Sequence, residues 1–141
     1  TMYLFMCLAL MGLLHFFLPV YQYVHEPLAY AGIIPVFAGI VMAVLAAGMF
    51  VKADTGLLPF EEATTLVTDG FYRFTRNPMY LGMILMLLGV AFLLGSVGAL
   101  MPVPLFIIII RYRFVAGEEQ FMERAFGQQY LDYKARVRRW I

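Results

Sequence analysis

Two polar clusters in this largely apolar chain carry the side chains that could do chemistry. The first, residues 70–80, reads Gly-Phe-Tyr-Arg-Phe-Thr-Arg-Asn-Pro-Met-Tyr, and the second is Gly117-Glu118-Glu119. The first cluster places arginines and an asparagine just before a proline that can begin a helix. A helix N-terminus offers free N–H groups and positive potential, which suit an anion. An apolar hairpin between the clusters would bring both to the same membrane face, which predicts an active site at the membrane surface.

Each cluster also has a purely structural interpretation. Asn77 is a good N-cap and Pro78 a good first helical residue, so the pair could simply begin a helix while Arg73 and Arg76 face lipid phosphates. An acid in the first turn of a helix complements the helix dipole, which is an adequate role for one glutamate. Neighbouring helical residues point about 100° apart, so only one glutamate needs to face a site. We favour Glu118 as the functional one.

Other site chemistries find no support in the sequence. Neither a GxGxxG motif nor a Walker loop is present. The soft metal-ligand candidates are His15, His25 and Cys7, and their positions in a predicted helix and on a far loop argue against a zinc site. Ser96 is the only serine and lies in a predicted far turn, so no nucleophilic triad can be assembled. We therefore predict no metal.

The composition indicates a membrane protein. The 141 residues are 63% hydrophobic and 13% charged, and the charged share is about half the ~25% usual for soluble domains. So small a globule could not hide this apolar excess, and the apolar residues come in runs rather than in stripes. The expected fold class is an all-α integral membrane protein, with residues 1–141 forming a single domain.

Apolar runs predict four transmembrane helices, the last two forming a hairpin. Their expected bounds are 3–20, 30–51, 79–95 and 99–115. Pro102 and Pro104 should mark or kink the start of the fourth helix. The first run lacks the basic segment and cleavage site of a signal peptide, so we expect a retained helix.

The basic residues predict the orientation in the membrane. All ten Lys and Arg lie at or after Lys52. If the chain has four spans, both termini lie on the same side of the membrane, and all ten basic residues lie on that side too. By the positive-inside rule that side is cytoplasmic. A cytoplasmic loop over 52–78 contains enough apolar residues to fold against the helix ends. Apolar residues spaced three and four apart then predict an amphipathic helix over 118–140, either interfacial or packed over the loop, with Gly127 as its weak point.

Together the two clusters resemble the isoprenylcysteine carboxyl methyltransferase and phospholipid methyltransferase superfamily of small integral-membrane enzymes. The pattern of that superfamily looks like L-V-T-x-G-x-Y-x-x-x-R-H-P-x-Y-x-G, an apolar hairpin, E-E, and then F-G-x-x-Y-x-x-Y. The match covers roughly the C-terminal half of the chain in order and spacing. The matching residues are Leu66, Val67, Thr68, Gly70, Tyr72, Arg76, Pro78, Tyr80, Gly82, Glu118, Glu119, Phe126, Gly127, Tyr130 and Tyr133.

The resemblance implies a methyltransferase with an S-adenosylmethionine pocket at the cytoplasmic face. It also implies a lipophilic acceptor, a carboxylate, amine or thiol that enters from the bilayer, with membrane lipids and no nucleic acid as partners. Beyond the resemblance, our catalytic candidates are Arg76, Arg113 and Glu119, and we expect Arg73, Arg76 or Arg113 to position an anionic acceptor or the cofactor carboxylate. The implied cofactor-binding residues are Thr64, Thr65, Leu66, Val67, Tyr72, Asn77, Pro78, Met79, Tyr80 and Glu118.

Two positions differ from the pattern. Asn77 stands where the family often has histidine, and because asparagine does not titrate, a proton shuttle at this position is excluded. Phe114 stands where the prenylcysteine enzymes carry a substrate-binding arginine, with Arg113 beside it. Two alternatives remain open, an NADPH-dependent membrane reductase of the sterol-reductase type and a non-catalytic membrane scaffold.

Overall fold

The computed structural model describes residues 2–18, 20–53 and 64–141, and over these ranges the chain is helical, without a β-strand. The α-helices are α1 (Met2–Phe17), α2 (Ile33–Lys52), α3 (Pro78–Leu94), α4 (Val97–Leu100), α5 (Pro102–Ile110), α6 (Ala116–Phe126) and α7 (Gln128–Arg136). A short 3-10 helix, Leu28–Gly32, precedes α2, and a second, Gly70–Arg73, precedes α3. A π-helical turn, Arg111–Val115, joins α5 to α6. The predicted all-helical class is therefore confirmed.

The apolar helices agree in place with the predicted spans. Two helical stretches, Leu28–Lys52 and Val97–Phe126, each contain an apolar window long enough to cross a membrane. The helices α1 and α3 are apolar but shorter, with 16 and 17 residues. The number of spans and their orientation stay predictions. Helix α3 begins at Pro78 and α5 at Pro102, as the proline positions predicted.

The predicted amphipathic helix over 118–140 is wrong in its continuity and in both ends. Helix α6 already begins at Ala116, because the π-helical turn runs directly into it. The helix breaks at Gly127, whose φ of 54° is a left-handed conformation that side chains other than glycine rarely adopt. Helix α7 ends at Arg136, after which Val137 is extended.

The chain forms two compact parts. The first comprises residues 1–41 and 82–109, and within it α2 and α3 approach so closely that their backbones touch. A methyl group added at Gly39 would lie 2.4 Å from the carbonyl oxygen of Gly82, and one at Gly32 would lie 2.5 Å from that of Gly89. Small residues at a seven-residue spacing permit this approach, as in other membrane helix pairs.

The connection between α3 and α4 is fixed by a buried serine in the first part. Ser96 Oγ accepts a hydrogen bond from the N–H of Ala99 at 3.3 Å and lies 2.8 Å from Nδ1 of His15 on α1. Gly95 makes the turn with a φ of 67°. His15 thus bridges helices, the structural role that is usual for a histidine inside an apolar helix.

The second part comprises residues 42–81 and 110–141 and contains all the predicted site residues. Its core consists of Tyr72 from the second 3-10 helix, Tyr130 and Tyr133 from α7, Ala46 from α2, and Val137 just after α7. Leu66 and Val67 from the predicted loop pack against this core, so the described end of the loop is folded. The residues 54–63 of the same predicted loop lie outside the described ranges.

Candidate active site

The polar segment before α3 is held by the end of the chain. The carbonyl oxygen of Asn77 accepts the hydrogen bond from the N–H of Leu81 at 2.9 Å, which places Asn77 at the helix boundary with the buried Pro78 as the first helical residue. The side-chain amide of Asn77 donates to the carbonyl oxygen of Arg139 at 3.0 Å, and the Thr75 hydroxyl donates to the same oxygen at 3.1 Å. The local sequence thus begins the helix, while the side-chain amide anchors the C-terminal segment.

A buried carboxylate lies between two arginines. Glu119 Oε1 is 3.1 Å from Nη1 of Arg76 and 2.9 Å from Nε of Arg139, and its Oε2 is 2.7 Å from Nη2 of Arg139. The pair with Arg139 is bidentate, the arrangement in which a guanidinium binds a carboxylate most strongly. Two cations around one anion leave the cluster with a net positive charge in a place where charge is costly to bury.

The guanidinium of Arg76 is incompletely satisfied. Its side chain is only 9% exposed, yet Nε and Nη1 make no hydrogen bond to the residues that the structure describes. The 3.1 Å approach of Nη1 to Glu119 is an ion-pair distance whose geometry does not meet the requirements of a hydrogen bond. Burial raises the pKa of the Tyr130 hydroxyl, and the neighbouring Arg76 opposes this shift. Because buried donors without an acceptor are rare and destabilising, a bound acceptor is the natural partner of this guanidinium.

The second glutamate of the pair has a different environment. The half-buried Glu118 accepts a hydrogen bond from the Tyr80 hydroxyl at 2.9 Å, and the Tyr80 ring lies against Phe114 with ring centres 6.4 Å apart. Burial raises the pKa of Glu118, and the hydrogen bond from Tyr80 acts in the opposite direction. The π-helical turn Arg111–Val115 immediately precedes these acids, and such turns occur frequently at functional sites.

Tyrosine side chains form the apolar support of the cluster. Tyr72 is 4% exposed and contacts the Phe50 ring edge-on, with ring centres 5.3 Å apart. The Tyr133 hydroxyl donates to the main-chain oxygen of Tyr72 at 2.8 Å. Burial raises the pKa of both tyrosines, and the charge of Glu118 raises that of Tyr72 further, so both hydroxyls stay protonated. These contacts fix the second 3-10 helix on α7.

The remaining predicted site residues differ in their surroundings. Thr64 and Thr65 are exposed, and Leu66, Val67 and Met79 are half-buried against the aromatic core. Arg113 is exposed on the π-helical turn and makes no ion pair within the described ranges. The structure therefore brings Arg76, Asn77, Tyr80, Glu118 and Glu119 into hydrogen bonds and ion pairs of the second part, and it does not bring Arg113 into them.

Sequence reasoning missed two residues of this cluster, Arg139 and Thr75. Arg139 is one of five basic residues that surround the predicted amphipathic stripe, and no sequence signal separates it from Arg138. Thr75 lies between Arg73 and Arg76, and its type and position carry no sequence signal of a site residue.

The polar groups of the cluster favour a ligand that carries both charges. Nε and Nη1 of Arg76, which make no hydrogen bond within the described ranges, suit a carboxylate, and Glu118 in its ionised form suits an ammonium or another cation. Among the described residues no group of three His, Cys, Asp or Glu side chains could hold a metal ion.

Nearly the whole chain matches part of a solved membrane-protein structure. The structure of a eukaryotic intramembrane Ras methyltransferase, isoprenylcysteine carboxyl methyltransferase, aligns with a TM-score of 0.71 at 24% sequence identity. The alignment covers 99% of this chain and 50% of that one. At this identity the likeness establishes the fold, which is that of an integral membrane protein.

Sequence relatives include named methyltransferases. The chain is 32% identical over 72 residues to the protein-S-isoprenylcysteine O-methyltransferase of Schizosaccharomyces pombe, and this alignment covers 51% of this chain and 30% of that enzyme. It is 35% identical over 83 residues to the protein-S-isoprenylcysteine O-methyltransferase A of Arabidopsis thaliana, and this alignment covers 55% of this chain and 40% of that enzyme. The chain thus matches less than half the length of these two relatives. An uncharacterised protein of Haemophilus influenzae is 41% identical over 63 residues, its entire length and 45% of this chain.

A family model covers most of the chain and both polar clusters. The model described as PEMT, phospholipid methyltransferase, matches residues 28–129. The matched range includes the segment before α3, the hairpin and the two glutamates, whereas the C-terminal residues with Arg139 lie beyond it. With this coverage, the chain belongs to the phospholipid methyltransferase family.

Proposed function

We propose that this protein is an integral-membrane methyltransferase that moves a methyl group from S-adenosylmethionine to a lipophilic acceptor at the cytoplasmic membrane face. The observation that carries the proposal is the buried Arg76 guanidinium, two of whose nitrogens make no hydrogen bond within the described ranges, in the same compact part as the half-buried Glu118 carboxylate. Family membership and the resemblance of the motifs supply the type of reaction. All Lys and Arg residues lie at or after Lys52, and this distribution supports four spans with both termini in the cytoplasm.

The residues of the cluster fit the amino-acid end of S-adenosylmethionine, which carries a carboxylate and an ammonium. Arg76 would hold the carboxylate through its free donors, and Glu118 would hold the ammonium. Tyr80 keeps Glu118 in place by its 2.9 Å hydrogen bond, and Tyr72 would form an apolar wall. When bound, this cofactor supplies an electrophilic methyl group on a sulfonium.

The chain contributes positioning and exclusion of water rather than covalent chemistry. Holding two reactants in line converts a reaction between separate molecules into one within a complex, which accounts for much of the acceleration in well-oriented systems. The buried tyrosines and Phe114 exclude water, which strengthens the electrostatic interactions of Arg76 and Glu118. Asn77 cannot accept a proton for the reaction, since its amide does not titrate and donates to the Arg139 carbonyl.

An apolar groove in the second part suits the lipophilic acceptor. Its volume is about 660 Å³, and it lies between the end of α2 and the second 3-10 helix. Val44, Leu45, Gly48 and Phe74 contribute apolar wall, and Lys52 lines it as a basic side chain. We assign the acyl or prenyl portion of the acceptor to this groove, with Lys52 attracting an anionic head group.

Calorimetry with purified protein in detergent tests the assignment. Wild-type protein should bind S-adenosylmethionine, and Glu118→Ala should weaken that binding by roughly tenfold to hundredfold, the size of one charge-assisted hydrogen bond. Glu123→Ala, a neighbouring acid on α6, serves as the matched control and should bind as the wild type does. Absence of binding to the wild type, or equal binding to Glu118→Ala, would overturn the assignment.

The same experiment separates the alternatives. A membrane reductase would bind NADPH and leave S-adenosylmethionine unbound. A scaffold would bind neither nucleotide cofactor, and substitution of Tyr80 or Glu118 would leave its partner binding intact.

A further inference from the structure

The last residues of the chain tie together the elements of the candidate site. After α7 the chain is extended, and the buried Val137 joins the aromatic core. Main-chain oxygens of the next two residues accept three hydrogen bonds from segment 75–77. The donors are the Arg76 N–H to Arg138 at 3.0 Å, the Thr75 hydroxyl to Arg139 at 3.1 Å and the Asn77 amide to Arg139 at 3.0 Å.

The side chain of Arg139 limits the hydrogen bonds that the Glu119 carboxylate can accept from Arg76. Nε and Nη2 of Arg139 engage both oxygens of Glu119, at 2.9 Å and 2.7 Å. Toward Glu119, Arg76 has a 3.1 Å ion-pair approach of Nη1 to Oε1 without hydrogen-bond geometry, and Tyr130 shares a side-chain hydrogen bond with Arg76. Without Arg139, the Glu119 carboxylate could turn to pair fully with Arg76. With both Glu119 oxygens engaged by Arg139, Nε and Nη1 of Arg76 have no hydrogen-bond acceptor among the described residues.

We propose that Arg139 is a positioning residue that holds Arg76 ready to bind a carboxylate. It does so by occupying Glu119 with its side chain and by fixing segment 75–77 with its main-chain oxygen. The inference rests on the proposed function for the identity of the ligand. The carboxylate belongs either to the amino-acid end of S-adenosylmethionine or to an anionic amphiphile that acts as acceptor, and the ligands of the test separate these sources.

The test compares Arg139→Ala with Arg138→Ala. The two substitutions remove the same charge from neighbouring positions, but the Arg138 side chain is exposed and only its main-chain oxygen takes part. Calorimetry would measure binding of S-adenosylmethionine and of its decarboxylated form. In parallel, binding of palmitate and of methyl palmitate would be measured, since these two amphiphiles differ in the carboxylate charge. Arg139→Lys, which keeps the charge but lacks the planar fork, provides a milder variant in case the alanine variant does not fold.

The expected result is a loss confined to ligands with a carboxylate. If the cofactor supplies it, Arg139→Ala weakens S-adenosylmethionine binding roughly tenfold to hundredfold and leaves the decarboxylated form unchanged. If the acceptor supplies it, the same loss appears for palmitate and not for its methyl ester. Arg139→Lys should show a smaller loss with the same selectivity, and Arg138→Ala should show none.

Two results would overturn the inference. Equal losses for ligands with and without a carboxylate would mean that Arg139 merely maintains the fold. Unchanged binding of all four ligands in Arg139→Ala and Arg139→Lys would mean that Arg76 needs no help from it. If the wild type binds neither form of the cofactor, the proposed function fails, while the palmitate pair still decides whether Arg139 governs a carboxylate site.

Discussion

The substitution Tyr80→Phe tests how the hydrogen bond from Tyr80 affects the ionisation of Glu118. It removes one hydroxyl and leaves the ring that lies against Phe114. The lost interaction is the 2.9 Å hydrogen bond to Glu118 Oε1, which opposes the effect of burial on the pKa of this carboxyl group. Without it, the pKa of Glu118 should rise further.

The size of the effect follows from the kind of bond removed. Hydrogen bonds to charged groups contribute about 1.5–3 kcal/mol, and this stabilisation is lost from the ionised form of Glu118. The pKa of Glu118 should therefore rise in Tyr80→Phe. Ionised Glu118 is lost as the pH falls through its pKa, so a higher pKa moves the loss of cofactor binding to higher pH. Near pH 9 the variant should bind almost as well as the wild type.

The assay is S-adenosylmethionine affinity measured between pH 5 and pH 9. Tyr112→Phe is the matched control, because Tyr112 is an exposed tyrosine on the π-helical turn and should give the wild-type profile. Glu118→Gln should remove this pH dependence altogether. If Tyr80→Phe and wild type lose affinity at the same pH, the hydrogen bond does not control the ionisation of Glu118 and the reasoning is refuted.

Three further substitutions test the groove, the helix pair and the aromatic core. Gly48→Leu, where a Cβ would meet no atom within 4 Å, should fill the groove, raise KM for a long-chain acceptor and leave cofactor affinity unchanged. The control Gly12→Leu, equally unobstructed in α1, should change neither KM nor cofactor affinity. An unaltered KM in Gly48→Leu would show that the acceptor does not bind in this groove. Gly39→Ala should destabilise the α2–α3 contact by about 1–3 kcal/mol, seen as a lower thermal midpoint in detergent, and an unchanged midpoint would show that the helices can separate at little cost. Tyr133→Phe leaves the main-chain oxygen of Tyr72 without its donor and should cost about 1–3 kcal/mol in the same melting assay, whereas wild-type stability would mean that water replaces the hydroxyl.

Local sequence signals predicted the start of α3 and the weak point of the terminal helix. Asn77 and Pro78 marked the start of α3 because capping and the fixed φ of proline act within one turn. Gly127 marked a weak point in the terminal helix, and the structure breaks there because glycine tolerates the positive φ. These features depend on residues adjacent in sequence, which a single sequence displays directly.

Features that depend on distant residues could not be predicted. The Asn77 amide was expected to contact a cofactor, and in the structure it donates to the Arg139 carbonyl 62 residues further along the chain. To predict Arg139 rather than Arg138 as the partner of Glu119, one must know where the side chains after α7 point. Helical periodicity does not give these directions, because α7 ends at Arg136. The π-helical turn was missed for a different reason, since the five residues Arg111–Val115 are too few to distinguish a π-helical from an α-helical spacing.

The most direct measurement follows the methyl group itself. Purified protein would be incubated with a lipid extract and S-adenosylmethionine that carries a trideuterated methyl group, and the lipids would be analysed by mass spectrometry. We predict a labelled lipophilic product with wild-type protein and with Arg138→Ala, and little or none with Glu118→Ala. A complete absence of labelled product with the wild type across broad lipid extracts, or equal labelling by Glu118→Ala, would contradict a methyltransferase that works through this cluster.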